Sequence, residues 1–499
     1  MTTKIARQLN LITDRLEKGV QMGMASDELY FKPRMQVINQ DQIDQIHCAT
    51  LDVLERTGVD IPHEKALERL SGHGARVEGD RVRMPSWMVE DAIRKAPSRV
   101  ILGNRTGKRT ITLERDKTYF GPSLDCVDYL DPRTHMRSRF VSENVKVTAA
   151  LCDTLPHMHW AMFIGMADDV PPDIADRVIA RYAMEYCEKP IAFCSKDTAS
   201  SKDIYEMALL LCGGRENFDQ APYLLHYSEP ISPLAYFDLA VDKIIFCAQN
   251  SIPLINSPAP QAAGTAPATL AVTVVQGNAE TLSGLVLHQL VNPGAPFVAG
   301  AFTTVMDMRT TVFSYGACEM SLMTAALAQM AQHYRLPFFG TAGATDAKFC
   351  DAQAGAEATF QCLTAAAIGS GLVHDCGSWI DHGSVASPEF MVLTNEIVDA
   401  VDHFMRGLPL TEESLALDVI HCVGPRGHFL QESHTFNNFK NIRYSEIFDR
   451  SILDQWKAAG SKTFEQRLQE VTLKKMEHRP EPLPEDTVKI LDEMQRGWK

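Results

Sequence analysis

From about His157 onward, short apolar runs alternate with helical segments, and each run is closed by a polar or Gly/Pro cluster. The runs are HWAMFIG (159–165), PIAFCSK (190–196), YLLHYSEP (223–230), IPLINSPAP (252–260), PFVAGAFT (296–303), PFFGTAGATD (337–346), LVHDCGSW (372–379) and ALDVIHCVG (416–424). Between them lie amphipathic or small-residue-rich stretches with helical character, such as Ala268–Leu290, Ser314–His333, Gln353–Gly369 and Pro388–Met405. Eight strand–helix repeats of this length predict an α/β fold, a (β/α)8 TIM barrel, which occupies about 250 residues. The competing arrangement is an open doubly wound sheet. That fold normally carries a glycine-rich phosphate or dinucleotide turn after one strand, and none is present.

The pattern before residue 146 differs. The first 40 or so residues are polar and weakly patterned, which suggests an arm that packs on a partner subunit. Asn39 and Gln42 form a capping box, Ile43, Ile46, Val53 and Leu54 recur at helical spacing, and Gly58 stands where a C′ glycine ends a helix. A second helix is expected over Pro85–Lys95. The alternation from Val100 to Leu130 reads as short antiparallel strands. The expected organisation is an N-terminal arm and mixed α/β cap over 1–145, a barrel over 146–430 and a charged, helical C-terminal extension over 431–499. The arm and tail together suggest a homo-oligomer.

Composition narrows the class without setting the chemistry. With 48 Lys+Arg against 63 Asp+Glu among 499 residues, the net charge is −15, which argues against nucleic acid and anionic membrane surfaces as partners. Charged residues run through the N-terminal segment without an apolar core, so no secretory signal is expected. The charge-poor stretch Asn250–Met306 is too rich in Pro, Gly and polar residues for a membrane span and is expected to be buried. A cytoplasmic protein is the reading. Twelve cysteines occur without any C-x-x-C spacing, a pattern of scattered thiols rather than of a disulfide framework or zinc ribbon.

Motif by motif, much is excluded. GNRTGK (103–108) is one residue short of a P-loop and is followed by Arg109, so it reads as a hairpin turn. His63-Glu64 lacks a second histidine at helical spacing, and no G-x-S-x-G elbow exists. His157 with His159, and His374 with Cys376 and His382, are metal-ligand types without a ligand-spacing signature.

In a barrel, catalytic groups stand at the carboxyl ends of the strands. Those positions offer Tyr227, Glu229, Asn256, Gln261, Phe302, Arg309, Thr341, Asp346, Lys348, His374, Asp375, Trp379 and His382, and the polar loop after the sixth run adds Gln353. Tyr227, Phe302 and Trp379 suit a cage for a cation, in which each aromatic face contributes about 0.5–2 kcal/mol. Phe339 reads as core. Arg309 is a candidate clamp for a carboxylate, with a structural salt bridge as the equal alternative. Asp351 reads as a helix cap.

The segments GTAGATDAKFCDAQAGAEATFQ (340–361), LVHDCGSW (372–379), SPEFMVLTNEI (387–397) and GPRGHFLQESHTFNNFK (424–440), with FGP and DYLDP near 120–132, resemble the trimethylamine methyltransferase superfamily of corrinoid-dependent enzymes. The resemblance implies a TIM barrel with terminal additions. It also implies transfer of an N-methyl group to Co(I) on a separate corrinoid protein docked over the barrel mouth, with no tightly bound cofactor in this chain. One departure matters: members that use trimethylamine carry pyrrolysine, and this sequence has only the twenty standard residues. Members without it demethylate quaternary amines such as glycine betaine or carnitine, whose nitrogen already carries the charge of a good leaving group. On this reading Asp346, His374 and His382 shape the reactive floor. Tyr227, Phe302 and Trp379 cage the ammonium, and Arg309 holds a carboxylate tail. A zinc-dependent barrel methyltransferase acting on a thiol or alcohol, and a non-catalytic quaternary-amine binder, remain as alternatives.

Overall fold

The structure, a computed structural model, describes residues 32–123, 125–162 and 165–498. The first 31 residues, most of the expected arm, lie outside the described residues. The chain divides into two compact units. Among the described residues one comprises Arg34–Asp402 with residues 444–498, and the other is built on His403–Arg443.

The larger unit is built on one eight-stranded, all-parallel sheet. In chain order its strands are β1 (Thr118–Phe120), β2 (Ala161–Met162), β3 (Ile191–Phe193), β4 (Leu224–Ser228), β5 (Leu254–Asn256), β6 (Phe297–Gly300), β7 (Phe338–Thr341) and β8 (Gly371–His374). Each is followed by a helix: α1 (Ser142–Thr154), α2 (Ala175–Tyr186), α3 (Thr198–Cys212), α4 (Asp238–Asn250), α5 (Leu270–Val291), α6 (Cys318–Tyr334), α7 (Ala352–Ile368) and α8 (Pro388–Met405). The order across the sheet is β1-β8-β7-β6-β5-β4-β3-β2. Among the described residues β1 and β2 are the two ends of the sheet, with no ladder between them. At that seam His159 N donates to Phe120 O at 2.7 Å, and the Trp160 indole donates to Tyr119 O at 3.1 Å. The sheet is strongly curled, because the Tyr227 and Phe339 rings, from strands three places apart, lie 5.9 Å from each other.

Seven of the eight expected strands fall where the apolar runs lie. The eighth does not. Residues 416–424 contain the helix Leu417–Val423 in the smaller unit, with Leu417 and Ile420 exposed. Its spacing is helical on closer reading: Leu417 and Ile420 are three apart, Asp418 sits in the first turn and His421 in the last, as the helix dipole favours. The missing strand is Thr118–Phe120, three residues hidden among hairpin strands upstream.

Local chemistry upstream agrees with the pattern. Asn39 Oδ1 accepts from Gln42 N at 2.9 Å and Gln42 Oε1 from Asn39 N at 3.0 Å, starting the helix Gln40–Asp52. Gly58, at φ 75°, ends the π turn that follows; a Cβ there would lie 2.3 Å from Val82 O. Gly103–Lys108 is a hairpin turn, with Asn104 Oδ1 accepting from Thr106 N and Lys108 N. The charge-poor stretch is buried as expected, with α5 at its centre. By length and composition α5 is apolar enough to span a membrane, yet 78% of its apolar window is packed inside the protein.

The connections leaving the carboxyl ends of the strands form a roof. Trp379–Ile380 and Val385–Ala386, after β8, join Asp128–Leu130 and Arg137–Arg139, after β1, in a four-stranded sheet. Beyond Tyr444 the chain returns as helices, and Arg181 of α2 pairs with Asp492 at 2.7 Å.

Candidate active site

Strand alternation determines which side chains face the enclosed side of the sheet. A chain of ring contacts runs from that interior to the roof. His374, the last residue of β8, stacks on Phe339 at 4.3 Å and 7° and meets the edge of Phe302 at 5.3 Å. Phe302 touches Phe313 at 5.9 Å, Phe313 touches Tyr315 at 4.8 Å, and Tyr315 meets Trp379 edge-on at 5.0 Å. Tyr227, Phe302, Trp379 and His374 therefore belong to one aromatic surface, as their strand-end positions suggested. Phe339 is fully buried, in line with a core role.

His374 is fixed in orientation. Its Nδ1 lies 2.6 Å from Asp375 Oδ1, and Asp375 also accepts from the Thr341 hydroxyl. Asp375 is fully buried and holds φ at 71°, a strained value for a residue with a Cβ. If Nδ1 donates to Asp375, Nε2 carries a free lone pair, and that atom is buried without any hydrogen-bond partner.

Beside the rings opens a cavity of about 520 Å3, lined among others by Asp125, Cys194, Tyr227, Glu229 and Lys243. It shares Asp125, Cys194, Ser195 and Lys196 with a neighbouring cavity of about 460 Å3. Both volumes suit a small ligand. Asp125 and Glu229 are exposed to the cavity but enclosed by protein on their other sides. Desolvation lifts Asp125 to about 6, helped by the charge of Asp375. It lifts Glu229 to about 7, opposed by the hydrogen bond from Tyr227 and helped by the charges of Asp125 and Glu280. Tyr315 feels Asp375, Glu229 and Asp125 together, beyond the larger effect of burial, so the ring chain and the carboxylates share one electrostatic site. A compact cation placed among them would relieve the like-charge repulsion.

The polar segment 340–355 mostly braces this site. Asp346 accepts from Ser314 Oγ at 2.5 Å, Tyr315 N at 2.8 Å and Gly316 N at 3.0 Å, which fixes the loop that carries Tyr315. His382 Nδ1 lies 2.9 Å from Asp346 Oδ1 without the alignment of a hydrogen bond, and Lys348 Nζ is 3.1 Å from His382 Nε2. Gln353 donates to Glu357 at 2.8 Å, and Glu357 accepts from Asp346 N at 3.0 Å. Asp351 caps α7 through the backbone of Gln353 and Ala354. Two candidates stand apart from the rings. Asn256 faces the helix layer, donating to Tyr236 Oη and to the Glu280 and Thr281 carbonyls at 3.3 Å each. Arg309 sits on an exposed turn tied by its backbone to Asp307.

Asp125, Phe313, Tyr315 and Lys243 had not been singled out, whereas Asp375 stood among the strand-end candidates. Asp125 was legible only if Thr118–Phe120 was taken for a barrel strand. Among the described residues, no group of three or more His, Cys, Asp or Glu side chains is arranged to hold a metal ion. The large apolar side chains Met166, Phe237, Leu239, Met308 and Phe349 are exposed; Leu239 is in the first turn of α4, and the others lie between the carboxyl end of a strand and the following helix.

The family described as trimethylamine methyltransferase (MTTB) matches residues 15–496. A trimethylamine methyltransferase MttB of Desulfitobacterium hafniense is 32% identical, covering 94% of this chain and 95% of its own. A glycine betaine methyltransferase of the same species is 29% identical, covering 85% of this chain and 89% of its own. Among solved structures, the Methanosarcina barkeri monomethylamine methyltransferase MtmB aligns at TM-score 0.50 and 13% identity, over 90% of this chain and 89% of its own. A hydroxylamine complex of MtmB aligns at TM-score 0.51 and 12% identity, over 89% of this chain and 88% of its own. These last two likenesses concern the fold.

Proposed function

Because the chain belongs to the trimethylamine methyltransferase family, we propose that it removes a methyl group from a quaternary amine and passes it to Co(I) of a separate corrinoid protein. The observation that carries the substrate class is the placing of Asp125 and Glu229 with Tyr227 on one cavity, close enough to the ring chain for Tyr315 to feel both carboxylates. A tetraalkylammonium has no N–H to donate, so it is held by charge and by aromatic faces rather than by directed hydrogen bonds. The site offers both.

The chemistry then asks little of the protein. The carbon–nitrogen bond breaks, its electron pair stays on nitrogen, and a neutral tertiary amine departs. The methyl carbon is taken by the electron pair of Co(I), which is the methyl acceptor supplied by the partner. No proton moves. The residues have to orient one methyl toward the open end of the strands, hold the cation and exclude water. Asp346 acts by placing Tyr315, and Asp375 by placing His374, whose unpartnered Nε2 is available at the reacting end of the site. The exposed Met166, Phe237, Leu239, Met308 and Phe349 supply an apolar rim on which the corrinoid partner docks, and the seam at His159 and Phe120 closes the TIM barrel beneath it. A proton NMR assay of the purified chain with a corrinoid protein tests this reading. A quaternary substrate should be converted to the amine with one fewer N-methyl, and conversion of a thiol or alcohol donor alone would refute it.

A further inference from the structure

The cavity that holds Asp125 and Glu229 is not anionic throughout. Lys243, on the second turn of α4, lines the same cavity as Cys194 and Tyr227. It is half-buried and has no hydrogen-bond or ion-pair partner among the described residues, which is unusual for an enclosed ammonium. Its charge reaches the cavity lining at Cys194, where it opposes the larger upward effect of burial on the thiol. The other lysine of this lining, Lys196, is already paired with Asp173 at 2.5 Å. Asp125 and Glu229 make no ion pair with Lys243, so one cavity presents both carboxylates and an unpaired ammonium.

We infer that Lys243 is a specificity-determining residue that binds the anionic group of a zwitterionic substrate, while Asp125 and Glu229 face its quaternary nitrogen. This rests on the proposed quaternary-amine function and refines it: the substrate class is an N-methylated zwitterion of the betaine type rather than an amine without an anion. The assignment gives Lys243, not Arg309, the tail, because Arg309 stands on an exposed turn and is absent from this cavity wall.

Calorimetry on the full-length protein separates the two layers, with glycine betaine and tetramethylammonium as probes. Lys243→Gln should weaken glycine betaine binding about tenfold or more, as loss of a charge-assisted contact does. It should leave tetramethylammonium within about twofold, a change too small for a lost ionic contact. Lys243→Arg should recover most of the loss, and Arg309→Ala should leave both ligands unchanged. Equal weakening of both ligands by Lys243→Gln would show a structural defect and overturn the inference, as would unchanged betaine binding in that variant. A wild-type protein that binds neither probe would remove the quaternary-amine reading itself, and Lys243's role with it.

Discussion

The hydroxyl of Tyr227 donates to the carboxylate of Glu229 at 3.1 Å, tying the aromatic wall of the site to its anionic one. The bond opposes the rise that burial imposes on Glu229 and so favours the ionised form, the one a cation needs. Tyr227 thereby joins two functions that the sequence placed two residues apart at the end of β4.

The carboxylates give the site a pH dependence with a definite sign. Glu229 is raised to about 7 and Asp125 to about 6, both mainly by desolvation. Affinity for tetramethylammonium should fall as pH drops from 8 through about 7 and then about 6, measured by calorimetry. Asp375, Glu280 and the Tyr227 hydroxyl face the same groups and set the steepness. Fold stability should move the opposite way. A carboxylate whose folded pKa is raised costs stability when ionised, so the fold gains as pH falls through those values. Glu229→Gln should flatten the upper part of the binding profile, weaken the cation about tenfold and raise Tm.

Tyr315 belongs to the ring chain and feels the charges of Asp375, Glu229 and Asp125, so it tests the cage. Tyr315→Leu should reduce quaternary-amine affinity about 2- to 30-fold, the range of one cation–π contact. Tyr315→Phe should retain most of the affinity. Asp346→Asn, which loosens the loop at Ser314, Tyr315 and Gly316, should reproduce part of the Tyr315→Leu loss without touching the ligand.

Asp375 holds His374 in one tautomer. Nitrogen-15 NMR should show Nδ1 protonated in the wild type, with the balance shifted toward Nε2 in Asp375→Ala. The variant leaves buried partners at Thr341 and His374, and should lose about 1–3 kcal/mol in denaturant unfolding.

Gly371 opens β8 with φ 69°, and a Cβ there would lie 2.3 Å from Phe338 O. Gly371→Ala should cost about 1–3 kcal/mol or more in the denaturant midpoint analysis. Gly355→Ala, at a half-buried position of α7 where a Cβ meets nothing within 4 Å, should be near neutral or stabilising.

Seven strands and the helices after β5, β6, β7 and β8 were legible because buried parallel strands are continuous apolar runs and core helices carry small residues at regular spacing. Thr118–Phe120 escaped because three residues are too few to show a period, and the hairpin before it set the local expectation. That single miss concealed Asp125, which follows the strand at its carboxyl end. The rim residues Tyr227, Glu229, Phe302, His374 and Trp379 were legible from position alone. Tyr315 was not, since it lies fifteen residues beyond β6 and reaches the site only because Asp346 fastens its loop. Asn256 shows the limit of the strand-end rule. Strand alternation sends it to the helix layer, one residue away from the inward face.

The most direct measurement mixes the purified chain with a Co(I) corrinoid protein and follows the corrinoid spectrum on addition of single methyl donors. The account predicts conversion of Co(I) to the methylated corrinoid with a quaternary amine, fastest with a zwitterionic betaine, and a loss of that conversion in the Asp125→Asn, Glu229→Gln double variant. Methylation from trimethylamine, a thiol or an alcohol, with no response to any quaternary amine, would contradict it.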